Sequence, residues 1–572
     1  MLHLLRLTSA VNRFSRLIGK RRAIMQALAG VGALALGMWG WSIEEPPANF
    51  AGWTTNLFRT FQMITLQFPK SLDLEIPWQL HASRLLLPAV AALATFHVIL
   101  AAITRPVRLV LMPHAHDHIV VCGPERFTEA ALGGLAGDGR QIVMVDERMG
   151  AARRETLEGL GLTVAEADPS QPATFDALNL KRAAAVFLAY GTDLANIDLA
   201  MLALRQAAGR PASSPPLKLA VLIERDDLAR ELEATLEVAA QPRRIRFHRL
   251  NPDRDSLRLE LATLAPAFRK VGEPQRSRAL VVGLSGDWDQ ILMQLVISMQ
   301  DYPEEPPVIT LLLDGSEQKL FDAWRAEMPD IALVAALEVA ARGPLLLPPE
   351  TELCGLTAVP PHLVVILRPD VDGIATALAL RRPGNALGLT DQPILVRRDT
   401  EDRILARLEG GGGPGGRIAA FGGLVRQEAI ERILDDKSEE SAKVLHERYR
   451  EAARSRFESS VAGAVPWDEL PETLRDANRA AADHAPILRL FASDGESFSA
   501  ALVEQLARVE HRRWMADRID RGWRSGPQRN DARRVHPSIR PYDELDDGER
   551  EKDRSAALAL LALPASAPRR TH

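Results

Sequence analysis

The sequence predicts an α/β protein with two transmembrane helices, tandem parallel-sheet domains and a C-terminal α-helical domain. Three observations carry this. Buried-type strands alternate with helices from about residue 117 to 425, the pattern of parallel sheets with helical crossovers. Two long uncharged runs precede them. The last hundred or so residues are charged and helical in pattern, with tryptophans set among arginines.

At 572 residues the chain has room for three or four domains, at roughly 150 residues each. Its formal net charge of -5 argues against bulk affinity for nucleic acid. The 2 cysteines, Cys122 and Cys354, offer neither a disulfide framework nor zinc-ligand spacing, which fits a reducing compartment.

The N-terminus departs from the average. Arg6, Arg13, Arg16, Lys20, Arg21 and Arg22 stand in a segment without acids. Residues 23–43 and 85–104 are free of charge, each long enough to cross a hydrocarbon layer of about 30 Å as a helix. Arg105 and Arg108 follow the second run, while the loop between the runs carries Glu44, Glu45, Asp73 and Glu75. Positive flanks on both outer ends predict a multi-pass protein of the inner membrane, in contact with lipid, with both termini in the cytoplasm.

Within the 1–110 membrane domain, residues 53–68 are mostly apolar, too short to span, and stop at Pro69. Helix, short helix, loop and helix resemble the layout of a two-helix potassium-channel pore, which assembles as a tetramer. The stretch in the filter position holds Thr65, Gln67 and Phe68 and no glycine, so the usual carbonyl-lined filter is not expected. A surface helix lying on the membrane is the alternative reading.

Residues 117–250 contain His118–Gly123, a strand ending in glycine, and Gln141–Asp146, a strand ending in an acid about twenty residues on. Asp168 follows the next strand, and Asn196 lies in the helix after the strand Ala185–Ala189. These cues resemble the RCK (TrkA N-terminal) domain, the Rossmann-type regulator of potassium channels and transporters. The resemblance implies a nucleotide such as NAD(H), ATP or ADP, with Gly123 at the phosphate, Asp146 at the ribose, and Asp168 and Asn196 as the matching later positions. Glu125 and Thr128 stand where further glycines belong, and a glutamate there would repel a pyrophosphate. A Rossmann scaffold without a dinucleotide is the competing reading.

A second run of the same kind, residues 277–425, starts from Ala279–Gly283 and includes a glycine-rich break at 410–416. A charged helical connector, 426–463, leads to the C-terminal domain, 464–564. There the H..W, RI..GW, HP, PY..L and EK.DR elements occur in order between Glu510 and Arg554. They resemble the RyR domain, the repeat named for ryanodine receptors, and the resemblance implies a ligand sensor. Trp514, Trp523 and Tyr542 supply flat faces, and His511, Arg518 and Arg524 supply donors, a combination suited to a nucleotide.

No catalytic motif stands out, and His114, His116 and His118 are read as a polar hinge rather than a metal site. The expectation is a non-enzyme: a ligand-gated ion channel or ion-transport regulator of the RCK type, homo-oligomeric, with nucleotide-sensing domains and no nucleic-acid partner. The alternative is a non-conducting, membrane-anchored nucleotide sensor or effector in a stress or defence response.

Overall fold

The computed structural model describes residues 26–68, 76–110, 115–268 (without 212, 226–227, 230–234, 237 and 241–243), 276–341, 359–434 (without 369, 383–388, 390 and 400–416), 439–455, 465–490 and 498–563. The basic residues up to Arg22 and the glycine-rich 410–416 stretch lie outside the described residues. The described residues fall into two compact units, one within 1–118 and 140–179, the other within 119–139 and 180–572.

In the first unit, helix α1 (26–44) packs against α2 (Phe50–Gln62) and α3 (Trp78–Val110). Small residues set the approach. A Cβ on Gly37 would lie 2.5 Å from Thr60 Cγ2, and one on Gly40 would lie 2.7 Å from Leu80 Cγ. Trp41, Met63 and Leu80 form the core between the helices, and the Ser83 hydroxyl donates to the Ala33 carbonyl at 2.8 Å.

Neither expected membrane span is supported here: among the described residues no helix is long and apolar enough to cross a membrane. The first helix carries Gln26 and Ser42, and Gly30, Gly32, Gly37 and Gly40 add little apolar surface. Helix α3 starts seven residues before the uncharged run, so Gln79, His81 and Arg84 occupy its opening turns. Side chains of residues 96–104 lie outside the described set.

The alternation of strands and helices gives two six-stranded parallel sheets. The first has the order β3-β2-β1-β4-β5-β6, from β1 (Ile119–Cys122), β2 (Ile142–Val145), β3 (Thr163–Ala165), β4 (Ala185–Leu188), β5 (Leu217–Leu222) and β6 (Ile245–Leu250). The second has the order β12-β11-β10-β7-β8-β9, from β7 (Arg278–Val282), β8 (Val308–Leu313), β9 (Ala336–Ala341), β10 (Leu363–Ile366), β11 (Ile394–Arg397) and β12 (Ile418–Phe421). Each follows the doubly wound 3-2-1-4-5-6 order, which places a switch crevice beside its first strand. The central strands β1, β4, β10 and β11 are buried throughout, as their unbroken apolar runs require.

Helix α4 (Pro252–Phe268) joins the two sheets in sequence. Helices α5 (Trp288–Ser298) and α6 (Gly315–Glu327) follow β7 and β8. The C-terminal part is helical, with α7 (Glu472–Arg489), α8 (Ala500–Asp520) and α9 (Asp547–Leu561). Met515, Ala516 and Ile519 of α8 share one buried cluster with Leu292 and Val296 of α5 and with the second sheet. The C-terminal module and the second sheet therefore have a common core.

Candidate functional site

The glycine turn after β1 is built for the fold. Gly123 adopts φ +76, and a Cβ there would lie 2.2 Å from the Ala189 carbonyl oxygen. Only glycine lets β1 and the end of β4 approach so closely. Pro124–Arg126 then forms a single 3-10 turn, and the Thr128 N–H donates to the Val425 carbonyl at 3.1 Å. The Arg126 carbonyl accepts from the Val425 N–H at 2.8 Å, so chain from beyond β12 lies on this turn. Arg126 pairs with Glu224. Asn196, in the same unit, accepts from the Tyr190 N–H and donates to the Leu222 carbonyl at 3.1 Å, tying the ends of β4 and β5.

Asp146 and Asp168 belong to the other compact unit. Asp146 accepts from the Arg148 N–H at 2.9 Å, and Asp168 accepts from the Ser170 N–H at 2.8 Å. The hydrogen bonds from Ser170 hold the Asp168 carboxyl below its ordinary range. Each acid thus caps its own turn.

In the second sheet a protein carboxylate occupies the corresponding turn. Glu317 accepts from the Leu284 N–H at 3.2 Å and the Asp314 N–H at 2.8 Å. The Asp314 side chain in return caps α6 as a capping box. The Arg397 guanidinium lies so near Gly286 that a Cβ there would be 2.6 Å from Nη2. Burial, then the charges of Asp253, Glu224 and Asp289, push the Asp287 carboxyl up to about 7.

The pore-like residues end a helix. Thr65 donates to the Gln62 carbonyl at 2.9 Å, the Gln67 N–H reaches the same carbonyl at 3.2 Å, and Phe68 stacks on Trp41 with ring centroids 5.7 Å apart.

The C-terminal residues divide by role. His511 is buried, donates from Nε2 to the Arg540 carbonyl (2.9 Å), and stands 2.9 Å from Asp553. Tyr542 is also buried, with the Arg508 guanidinium 5.1 Å above its ring. Burial first, then Glu504, pushes its hydroxyl up to about 12. These two hold α8 to α9 and the turn before it. Trp514 and Trp523 are half-buried, and both pack on His536, at 5.1 and 5.9 Å. Arg518 lies over both indoles, at 5.6 and 5.9 Å. Burial, then Arg529 and Arg518, holds His536 down to about 4, so it is neutral between the rings at pH 7.

Trp523 and Arg524 line a cavity of about 680 Å³ whose other wall comes from the second sheet's helices. Trp324 and Glu327 of α6, Asp330, and Asp289 of α5 face it. Arg524 donates to the Glu327 carbonyl at 3.3 Å, and the Ser525 N–H donates to Asp330 at 2.8 Å. Trp324 is propped by Trp288, with centroids 5.5 Å apart. The sequence reading found Trp523 and Arg524 but missed Trp324, Asp289 and Arg534. Their juxtaposition is tertiary; the aromatic spacing of Trp288, Phe321 and Trp324 was the available local signal.

An ion network leads from this cavity to α4. Asp520, which lines it, stands 2.7 Å from Arg254. Arg521 pairs with Asp517 (3.1 Å) and Asp476 (3.2 Å), and Asp476 pairs with Arg258 at 3.1 Å. Farther on, Arg479 joins Glu472 and Glu439, and Glu472 stands 3.6 Å from His248 on β6. Burial lowers His248 to about 4, leaving it neutral.

The architecture is that of two doubly wound parallel sheets followed by a helical C-terminal module. Residues 119–236 match the family model of the TrkA-N domain, and residues 496–563 match that of the RyR domain. No curated protein matches the chain. Among solved structures, GsuK bound to ADP is 11% identical, with 73% of this chain and 97% of that chain covered and a TM-score of 0.34. A second GsuK crystal structure, of a point mutant, is 12% identical, covers 76% and 97%, and has a TM-score of 0.35.

Proposed function

We propose that this protein is a nucleotide-sensing regulator of ion transport, in which the C-terminal module reads the ligand. The observation that carries the reading is the cavity under Trp523, joined through Asp520 and Arg254 to the helix connecting the two sheets. A ligand that binds one arrangement of these walls better than another shifts the population toward it, and the buried ion network spreads that shift. The TrkA-N and RyR matches support a sensing role. NAD(H), ATP and ADP are the nucleotides to try first. The chain has no reaction of its own on this reading.

In its fullest form the reading is a ligand-gated channel or RCK-type transport regulator, a homo-tetramer at the inner membrane with both termini in the cytoplasm. A second reading is a non-conducting, membrane-associated sensor or effector in a stress or defence response. The packing of Phe68 on Trp41, where a filter would stand, favours it. Ion flux in liposomes carrying the full chain separates the two: nucleotide-dependent flux supports the channel, and its absence with a nucleotide that binds supports the sensor.

A further inference from the structure

We infer that the glycine turn after β1 is a docking socket for the chain's own segment 422–434. The docked segment latches the edge of the second sheet to the first and closes the turn to a nucleotide phosphate. This goes beyond the sensing site under Trp523 and does not depend on it.

The segment leaves β12, the edge strand of the second sheet, and runs onto the helix Glu129–Gly137 that follows the turn. Phe127 and Val425 form a parallel bridge, and both are buried. The start of the segment is shaped for this path. Gly422 and Gly423 hold φ +85 and +68, and a Cβ on Gly423 would lie 2.1 Å from the Arg398 carbonyl oxygen. Their N–H groups donate to Ser256 Oγ at 2.6 Å and Asp253 Oδ1 at 2.7 Å, both on α4. The end is anchored too. Helix Gln427–Leu434 lies so close to Glu129–Gly137 that a Cβ on Gly134 would be 2.9 Å from Gln427 Cδ. Arg432 donates twice to Asp255 of α4, at 2.9 and 3.1 Å, and Lys218 of β5 donates to the Leu434 carbonyl at 3.0 Å.

A nucleotide phosphate at such a turn accepts backbone N–H groups at the helix N-terminus. Here the N–H groups of Arg126 and Phe127 donate to the Gly123 and Pro124 carbonyls, each at 3.2 Å. That of Thr128 is given to Val425, and that of Ala131 to Thr128 Oγ1 at 3.1 Å. The Val425 carbonyl thus takes the partly positive helix end that a phosphate needs. Glu125, whose charge opposes a pyrophosphate, is exposed and does not fill the turn. A phosphate enters only by displacing a backbone pair that is buried and tied on both sides.

Hydrogen exchange on the full chain, read by mass spectrometry on peptides spanning 126–131 and 423–427, tests the latch. Both peptides should be protected, and saturating ADP, ATP or NADH should leave them unchanged. Gly134→Leu wedges a side chain between the two helices, and Val425→Pro removes the donor to Arg126. Each should speed exchange at 126–131 about ten-fold while β7 and β8 keep their parent rates. Nucleotide-dependent protection of 126–131 in the parent overturns the closure, and parent-like exchange in Gly134→Leu overturns the latch. Either failure leaves the site under Trp523 standing, because that site is read at peptides spanning 523–524.

Discussion

Asp520 Oδ2 stands 2.7 Å from Arg254 Nη2, with both side chains largely shielded from water. This contact joins the cavity wall to the helix that connects the two sheets. Removing one partner leaves the other charge buried and uncompensated, which costs about 3–5 kcal/mol. Asp520→Asn should therefore lower unfolding free energy by that order in urea titrations. The double variant Arg254→Met/Asp520→Leu should recover part of the loss, because apolar replacement of both charges removes the penalty. A single variant as stable as the parent would show that the pair carries no strain of burial.

Gly123 is required by backbone geometry. At φ +76, with a Cβ placed 2.2 Å from the Ala189 carbonyl oxygen, Gly123→Ala must move β1 from β4. The expected destabilisation is above about 1 kcal/mol, the ordinary cost of alanine at a left-handed position. Thermal unfolding without nucleotide checks it. An unchanged midpoint would return this glycine to a ligand-binding role.

Asp287 makes stability depend on pH. Its carboxyl is pushed up to about 7, chiefly by burial and then by Asp253, Glu224 and Asp289. The native state holds a proton that the unfolded chain releases near 4. This contribution is full below about pH 4 and is lost as pH rises through about 7. Asp287→Asn should raise the unfolding midpoint at pH 8 and change it little at pH 4. A variant that behaves alike at both values would contradict the burial of this group.

Much of the fold was legible because parallel strands buried on both faces leave continuous apolar runs. Ala279–Gly283 and Ala185–Ala189 read directly as such strands, and both sheets follow. The glycine turns were read for their residue types, which do not reveal what fills them. Glu317 lies 34 residues beyond Gly283 and Val425 lies 302 beyond Gly123, and local pattern says nothing about such partners. The two uncharged runs suggest spans by their length, lack of charge and basic flanks. In the first run glycine, glutamine and serine dilute the apolar surface, and the second run extends past the residues whose side chains are described. In the C-terminal module the elements were found, yet Tyr542 and His511 are buried supports, while the cavity's second indole, Trp324, belongs to another domain.

The central claim is that nucleotide is read under Trp523 rather than at the turn after β1. Calorimetry on the full chain with NAD(H), ATP and ADP, repeated with Trp523→Ala and with Asp146→Asn, tests it most directly. Loss of a stacking face costs about 1–3 kcal/mol, so Trp523→Ala should weaken the bound nucleotide about ten-fold or more. Unchanged affinity in Trp523→Ala, with binding abolished in Asp146→Asn, would contradict it.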